Sequence, residues 1–118
     1  MHKLLIFLKR RPGLSREEFR AYYEGNHVPL CVKYMSGVDR YFRRYLEPAS
    51  GMPEMEADVI TEVWFLNRAA LDYVLGTAAQ DKLPPDVLAD ELHLFDRSKS
   101  RFCAVTECET EMAPAAVS

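Results

Sequence analysis

The chain reads as an α+β domain in the order strand, helix, strand, strand, helix, strand, and three observations predict it. Four stretches of strand length, residues 3–9, 38–46, 58–66 and 100–109, are rich in apolar, β-branched or aromatic residues. Between them lie stretches with apolar residues at helical spacing, each opened by a helix-starting residue: Ser15, Asn67 or the pair Pro84-Pro85. At 118 residues the chain has the length of one domain, and no internal repeat competes with that reading. The order is the split βαβ, or ferredoxin-like, arrangement, in which both helices cover one face of a four-stranded antiparallel sheet.

Residues 3–9 hold an unbroken apolar run, Leu4-Leu5-Ile6-Phe7-Leu8, between lysines, and form the first strand. Arg11-Pro12-Gly13 makes a turn. Ser15 and Glu18 then stand in capping-box spacing, so a helix begins at Arg16 with Phe19, Tyr22 and Tyr23 on its apolar side. Gly25-Asn26 and Pro29 interrupt that helix. A kink is expected there, with a helical continuation over residues 28–35 that ends at Gly37. In the second strand, residues 38–46, Tyr41, Arg43 and Tyr45 share one face. Residues 47–56, with Pro48, Gly51 and Pro53, form a loop that is expected to be mobile. Residues 58–66 are the third strand. Asn67 caps a helix to about residue 80, with Leu71, Val74 and Leu75 as its stripe. Pro84-Pro85 opens a shorter helix over residues 86–95. A last strand follows at 100–109, and residues 110–118 are expected to form a flexible tail.

Composition excludes several classes. With 48% hydrophobic and 28% charged residues the chain is too apolar to be disordered. A net charge of −3 gives no basis for nucleic-acid binding. No apolar run approaches bilayer length, and the first residues lack a signal-peptide pattern, so a cytoplasmic protein with no membrane partner is expected. Cys31, Cys103 and Cys108 are an odd set in such a chain and read as reduced thiols. Neither they nor His2, His27 and His93 show metal-ligand spacing, so no metal is expected. No glycine-rich dinucleotide fingerprint occurs, and no cofactor is expected.

His27 is the leading candidate for chemistry. It lies one helical turn beyond Tyr23, beside the expected kink, and histidine is the side chain that titrates nearest physiological pH. A core histidine bonded to backbone is the alternative. The first and third strands carry apolar residues on both faces, whereas the helices cover only one. Leaving the second face wet forgoes ~1.5–3 kcal/mol for each large side chain. A homodimer with the two sheets packed face to face is therefore expected.

With these elements placed, the segment Lys9-Arg10-Arg11-Pro12-Gly13-Leu14-Ser15-Arg16-Glu17-Glu18-Phe19, followed by Tyr22-Tyr23-Glu24-Gly25-Asn26-His27-Val28-Pro29-Leu30, resembles the opening of the EthD family. Residues 58–65 resemble its D-x-x-x-E-x-W-F strand, and Asp90-Glu91 with Phe95-Asp96 its closing D-E-x-x-x-F segment. The likeness spans most of the chain. It implies an EthD-like dimeric α/β barrel domain over residues 1–109. It implies little about reaction, because related barrels include isomerases, cyclases, cofactor-free monooxygenases and haem-binding enzymes.

In such a barrel the pocket lies between the helices and the sheet of one protomer. His27 would reach it from the first helix, with Tyr22, Tyr23, Tyr41 and Tyr45 as aromatic walls and hydroxyl donors, and Glu62 and Trp64 from the third strand. Each has a plainer reading. The tyrosines suit a core, Glu62 suits a cross-strand pair with Arg43 or Arg44, and Trp64 suits packing. The expected ligand is a small aromatic or apolar molecule. The expected function is a cofactor-free isomerase, cyclase or lyase acting on an aromatic, lactone or polyketide-like substrate, with His27 as general base. An oxidoreductase of the same scaffold, cofactor-free or haem-dependent, and a non-catalytic ligand-binding accessory protein are the alternatives.

Overall fold

Four strands, β1 (His2–Leu8), β2 (Val38–Tyr45), β3 (Val59–Phe65) and β4 (Arg101–Ala104), form one antiparallel sheet in the order β2-β3-β1-β4. The computed structural model describes residues 1–114. The two central strands are the most apolar segments of the chain, as full burial of one face requires. The helices are α1 (Arg16–Tyr22), a π turn over Tyr23–His27, α2 (Val28–Val32), α3 (Arg68–Ala79) and α4 (Pro85–Leu94), with a short 3-10 turn at Arg97–Lys99. This is the expected α+β, ferredoxin-like arrangement.

The local signals act as their chemistry dictates. Ser15 Oγ accepts from the Glu18 amide at 3.1 Å, and Glu18 Oε1 accepts from the Ser15 amide at 3.0 Å, closing the capping box. Asn67 Oδ1 caps α3 by accepting from the Ala70 amide at 2.8 Å. Pro85, at the first position of α4, forgoes an amide that has no intrahelical partner there. Gly13 turns the chain between β1 and α1 at φ 94°.

Side-chain alternation divides the sheet into two faces. Leu4 and Leu8 on β1, and Val59, Thr61, Val63 and Phe65 on β3, are buried beneath the helices. Two apolar cores result. One gathers Leu8, Phe19, Tyr23, Val59, Leu94 and Phe95 under α1 and α4; the other gathers Leu4, Val63, Phe65 and Leu71 under α3. The opposite face carries Leu5, Phe7, Phe42, Ile60 and Trp64, all part-exposed.

Several expectations need correcting. The break at Gly25-Asn26 is not a kink between two α-helices but a widened turn within one continuous helical path. The continuation ends at Val32, after which Tyr34 and Met35 donate in tight turns to the carbonyls of Cys31 and Val32. The last strand is four residues long rather than ten, so Cys108 lies outside it. The end of the loop before β3 is tied to the chain just after β1, where Lys9 donates to Glu54 at 2.8 Å and to the Met55 carbonyl at 2.9 Å. Residues 110–114 are exposed without regular structure, and the rest of the expected tail, 115–118, lies outside the described residues. Among the described residues no helix is long and apolar enough to cross a membrane.

Candidate functional site

The site begins with Pro29. It has no amide to give the Gly25 carbonyl, and its ring would collide with that carbonyl in a regular α turn. The turn widens instead, and the Val28 amide bonds the Tyr23 carbonyl five residues back. The widened turn sets Tyr23 and His27 side by side on the buried surface, with ring centroids 5.4 Å apart and planes at 83°. Phe95, just after α4, meets the imidazole edge-on from the other side, also at 5.4 Å. His27 is 5% exposed.

Asp90 on α4 fixes the imidazole. Its Oδ2 lies 2.7 Å from His27 Nδ1, and its Oδ1 accepts from the Tyr22 hydroxyl at 2.5 Å. A carboxylate only accepts, so Nδ1 carries the proton and Nε2 keeps its lone pair. Nε2 has no partner among the described residues. It is not sealed either, since the sole sealed and unpartnered side-chain polar atom among them is Ser100 Oγ. Burial pushes the imidazole below its ordinary value of 6.5, and the hydrogen bond and charge of Asp90 only partly oppose this. At neutral pH His27 is therefore an uncharged acceptor.

His27 lines a cavity of about 630 Å³ between the helices and the inner sheet face. Both cores contribute walls, including Leu4, Ile6, Val63, Phe65 and Phe95, and the exposed Tyr34, Tyr73 and Lys82 mark the mouth. A largely apolar hollow of this size with few polar groups suits a small flat molecule. Tyr23 meets Thr61 hydroxyl to hydroxyl at 2.5 Å. Burial raises the Tyr23 and Tyr41 hydroxyls, so both remain neutral. The Cys31 thiol is pushed up to about 12 by burial and by the carboxylates of Glu91, Asp90 and Asp86, which leaves it protonated and unreactive.

Of the residues singled out from sequence, His27, Tyr23 and Tyr41 line the cavity. Tyr22 does not; its hydroxyl serves Asp90. Tyr45 donates to Glu24 at 2.6 Å, and Arg43 clamps the same carboxylate at 2.8 and 3.0 Å. Glu62 and Trp64 do not join the site. They lie on the opposite sheet face, where Trp64 Nε1 donates to Glu62 Oε2 at 2.6 Å and Arg44 lies 3.4 Å from it. Alternation is the cause: with Val59, Thr61, Val63 and Phe65 inward, the even-numbered residues must face away. Arg43 belongs to the inner face and takes Glu24, so the cross-strand partner of Glu62 is Arg44.

Sequence reasoning missed Asp90, Glu91 and Thr61 as site residues. A signal existed for Glu91: it stands with Val87 and Leu94 on the buried stripe of α4, where a carboxylate is out of place. Asp90 had only its place in the closing D-E-x-x-x-F segment.

Comparisons with known proteins agree with this fold. The EthD domain matches residues 11–98, a span holding His27, Asp90 and Glu91. No curated protein matches the chain. Among solved structures, an ethyl tert-butyl ether D (EthD) family protein from Bacillus halodurans C-125 is similar at TM-score 0.60 and 18% identity, covering 92% of this chain and 100% of that one. A protein from Arabidopsis thaliana is similar in its crystal structure at TM-score 0.62 and 11% identity, covering 95% of this chain and 100% of that one. Its solution structure gives a TM-score of 0.55 at 12% identity, covering 95% and 90%. Identities this low establish the shared fold alone, and it is the domain match over most of the chain that places this protein in the EthD family.

Proposed function

We propose that this protein is a proton-transfer enzyme of isomerase, cyclase or lyase type, acting on a small aromatic, lactone or polyketide-like molecule, with His27 as general base. The observation that carries the proposal is the 2.7 Å contact between Nδ1 and Asp90 in a ring whose other nitrogen is free beside a cavity. Asp90 orients the imidazole and favours the cation that forms when Nε2 takes a proton. The electron pair of the broken C–H bond moves onto a neighbouring carbonyl, and the neutral hydroxyls of Tyr23 and Tyr41 stand ready to stabilise the enolate. A mostly apolar wall strengthens each of these interactions by excluding water.

The working unit is proposed to be a homodimer through the sheet faces. Leu5, Phe7, Phe42, Ile60 and Trp64 form an apolar patch that no helix among the described residues covers. Domain limits of 1–109 belong to the same proposal.

The test is hydrogen–deuterium exchange at acidic C–H positions, followed by NMR over a panel of aryl ketones, lactones and β-diketones. Wild type should exchange at least one class. His27→Ala should still bind that compound, seen as shifted resonances, but should not exchange it. Exchange at the wild-type rate in His27→Ala removes His27 as the base; binding without exchange in wild type favours a carrier.

A further inference from the structure

Glu91 is a buried carboxyl with no stated task. It is 6% exposed, lies one position after Asp90 on α4 and lines the same cavity as His27. Neither of its oxygens accepts a hydrogen bond from a described residue, and the nearest cation, Arg97 Nε, stands 3.5 Å from Oε2. That guanidinium is also engaged by Asp81. Neither carboxyl oxygen is sealed, and the residue is part of the cavity wall. Buried carboxylates normally collect several donors, and one without them is strongly disfavoured. The group that remains has an O–H to give and no protein atom to receive it.

We propose that Glu91 donates a hydrogen bond from its carboxyl O–H to a carbonyl or phenolic oxygen of the molecule bound in the cavity. The proposal rests on the cavity being a ligand site and adds the ligand class: a flat, uncharged compound with an oxygen acceptor. The surroundings keep the carboxyl protonated well above the ordinary carboxyl range. Burial is the main cause, holding it up at about 7; Arg97 from the 3-10 turn opposes this, and Asp81 after α3 and Asp90 on α4 add to it. The other titratable groups around the cavity are Cys31 on α2, Tyr23 and His27 on the π turn, Tyr41 on β2, and Tyr34, Tyr73 and Lys82 at the mouth. Burial keeps Cys31, Tyr23 and Tyr41 protonated, leaving Glu91 and His27 as the groups to separate. A neutral carboxylic acid that donates to a developing oxyanion complements a neutral imidazole that accepts from carbon.

The test uses 2-acetonaphthone, which accepts hydrogen bonds and donates none, with binding measured by calorimetry. Wild-type affinity should fall roughly tenfold between about pH 6 and pH 8 as the donor is lost. Glu91→Gln, which keeps a donor at every pH, should hold its affinity across that range. Glu91→Leu should bind weakly throughout, and His27→Gln should retain the wild-type slope. A pH-independent wild type, a Glu91→Gln variant with the same slope, or a slope abolished in His27→Gln overturns the proposal. No binding at any pH overturns it together with the ligand-site reading, whereas binding without a slope overturns it alone. A measurement that needs no variant to fold is the carboxyl carbon resonance of Glu91. Titration near 7 supports the assignment, and titration with the surface glutamates sinks it.

Discussion

His27 and Asp90 meet at 2.7 Å although 63 residues separate them, and the contact ties the widened turn of the first helical segment to α4. It also settles which imidazole nitrogen is free. In Asp90→Asn the charge disappears while the side-chain volume stays. Asp90 supplies the influences that raise His27 against burial, so its titration midpoint should move further below 6.5. An imidazole titration followed by proton NMR reads this directly. A midpoint unchanged from wild type would show that Asp90 does not govern the ring.

Tyr23 serves both core and cavity, and two substitutions separate its ring from its hydroxyl. Tyr23→Phe keeps the edge-on contacts with Phe19, Tyr45 and Phe95 but strands the buried Thr61 hydroxyl. It should cost about 1–3 kcal/mol, as an unsatisfied buried polar group does. Tyr23→Ala removes the ring as well and should cost about 3–5 kcal/mol. Urea melts measure both. Equal losses would mean that the ring contacts contribute nothing.

Glu91 should make stability fall as pH rises. Its native value of about 7 lies above the ordinary 4.5, so the native state binds the proton more tightly than the unfolded chain. Below 4.5 both states are protonated and nothing is lost; between 4.5 and about 7 the unfolded chain gives up its proton while the native state must keep it, and stability falls across that interval. The full loss is on the order of 3 kcal/mol. His27 acts in the opposite sense, because its lowered native value makes stability fall with acid below 6.5. Glu91→Gln should therefore match wild type near pH 4.5 and exceed it near pH 8. Parallel stability curves for the two proteins would refute the assignment.

The uncovered sheet face should govern assembly. Leu5→Glu places a charge beside Phe7 and directly opposite the Glu62 carboxylate on the outer face, without touching the inner cores. A wild-type dimer should become a monomer, because burying an unpaired carboxylate costs several kcal/mol. Size-exclusion chromatography with light scattering decides it. A wild-type monomer at micromolar concentration would end the dimer proposal.

The parts of the fold that depend on neighbouring residues were legible in the chain. Ser15 with Glu18, Asn67, and Pro84 with Pro85 each start a helix through contacts within a few residues, and they start them where expected. The facing of β3 was not legible in the same way. Both of its faces carry large apolar residues, so composition alone gives no parity, and Glu62 and Trp64 were assigned to the cavity side. Thr61 settles it, through a hydroxyl contact with Tyr23 on a different element. Pro29 announced an irregularity in the helix. Whether the backbone bends or widens there depends on where His27 must point, and Asp90 sets that from far along the chain.

The π turn makes the first helical segment one residue longer than regular winding would need. Winding the same residues as a regular α-helix would instead turn everything beyond the π turn by about 100° and carry it onward by about 1.5 Å. Phe19 and the capping box would keep their places, but His27 and Cys31 would leave the cavity wall. The stretch from Ser15 to Tyr22 answers to the core, and the stretch from Tyr23 onward answers to the cavity. Among homologous chains, the widened winding of this turn should thus track whether the histidine is kept, even where the rest of the helix has diverged.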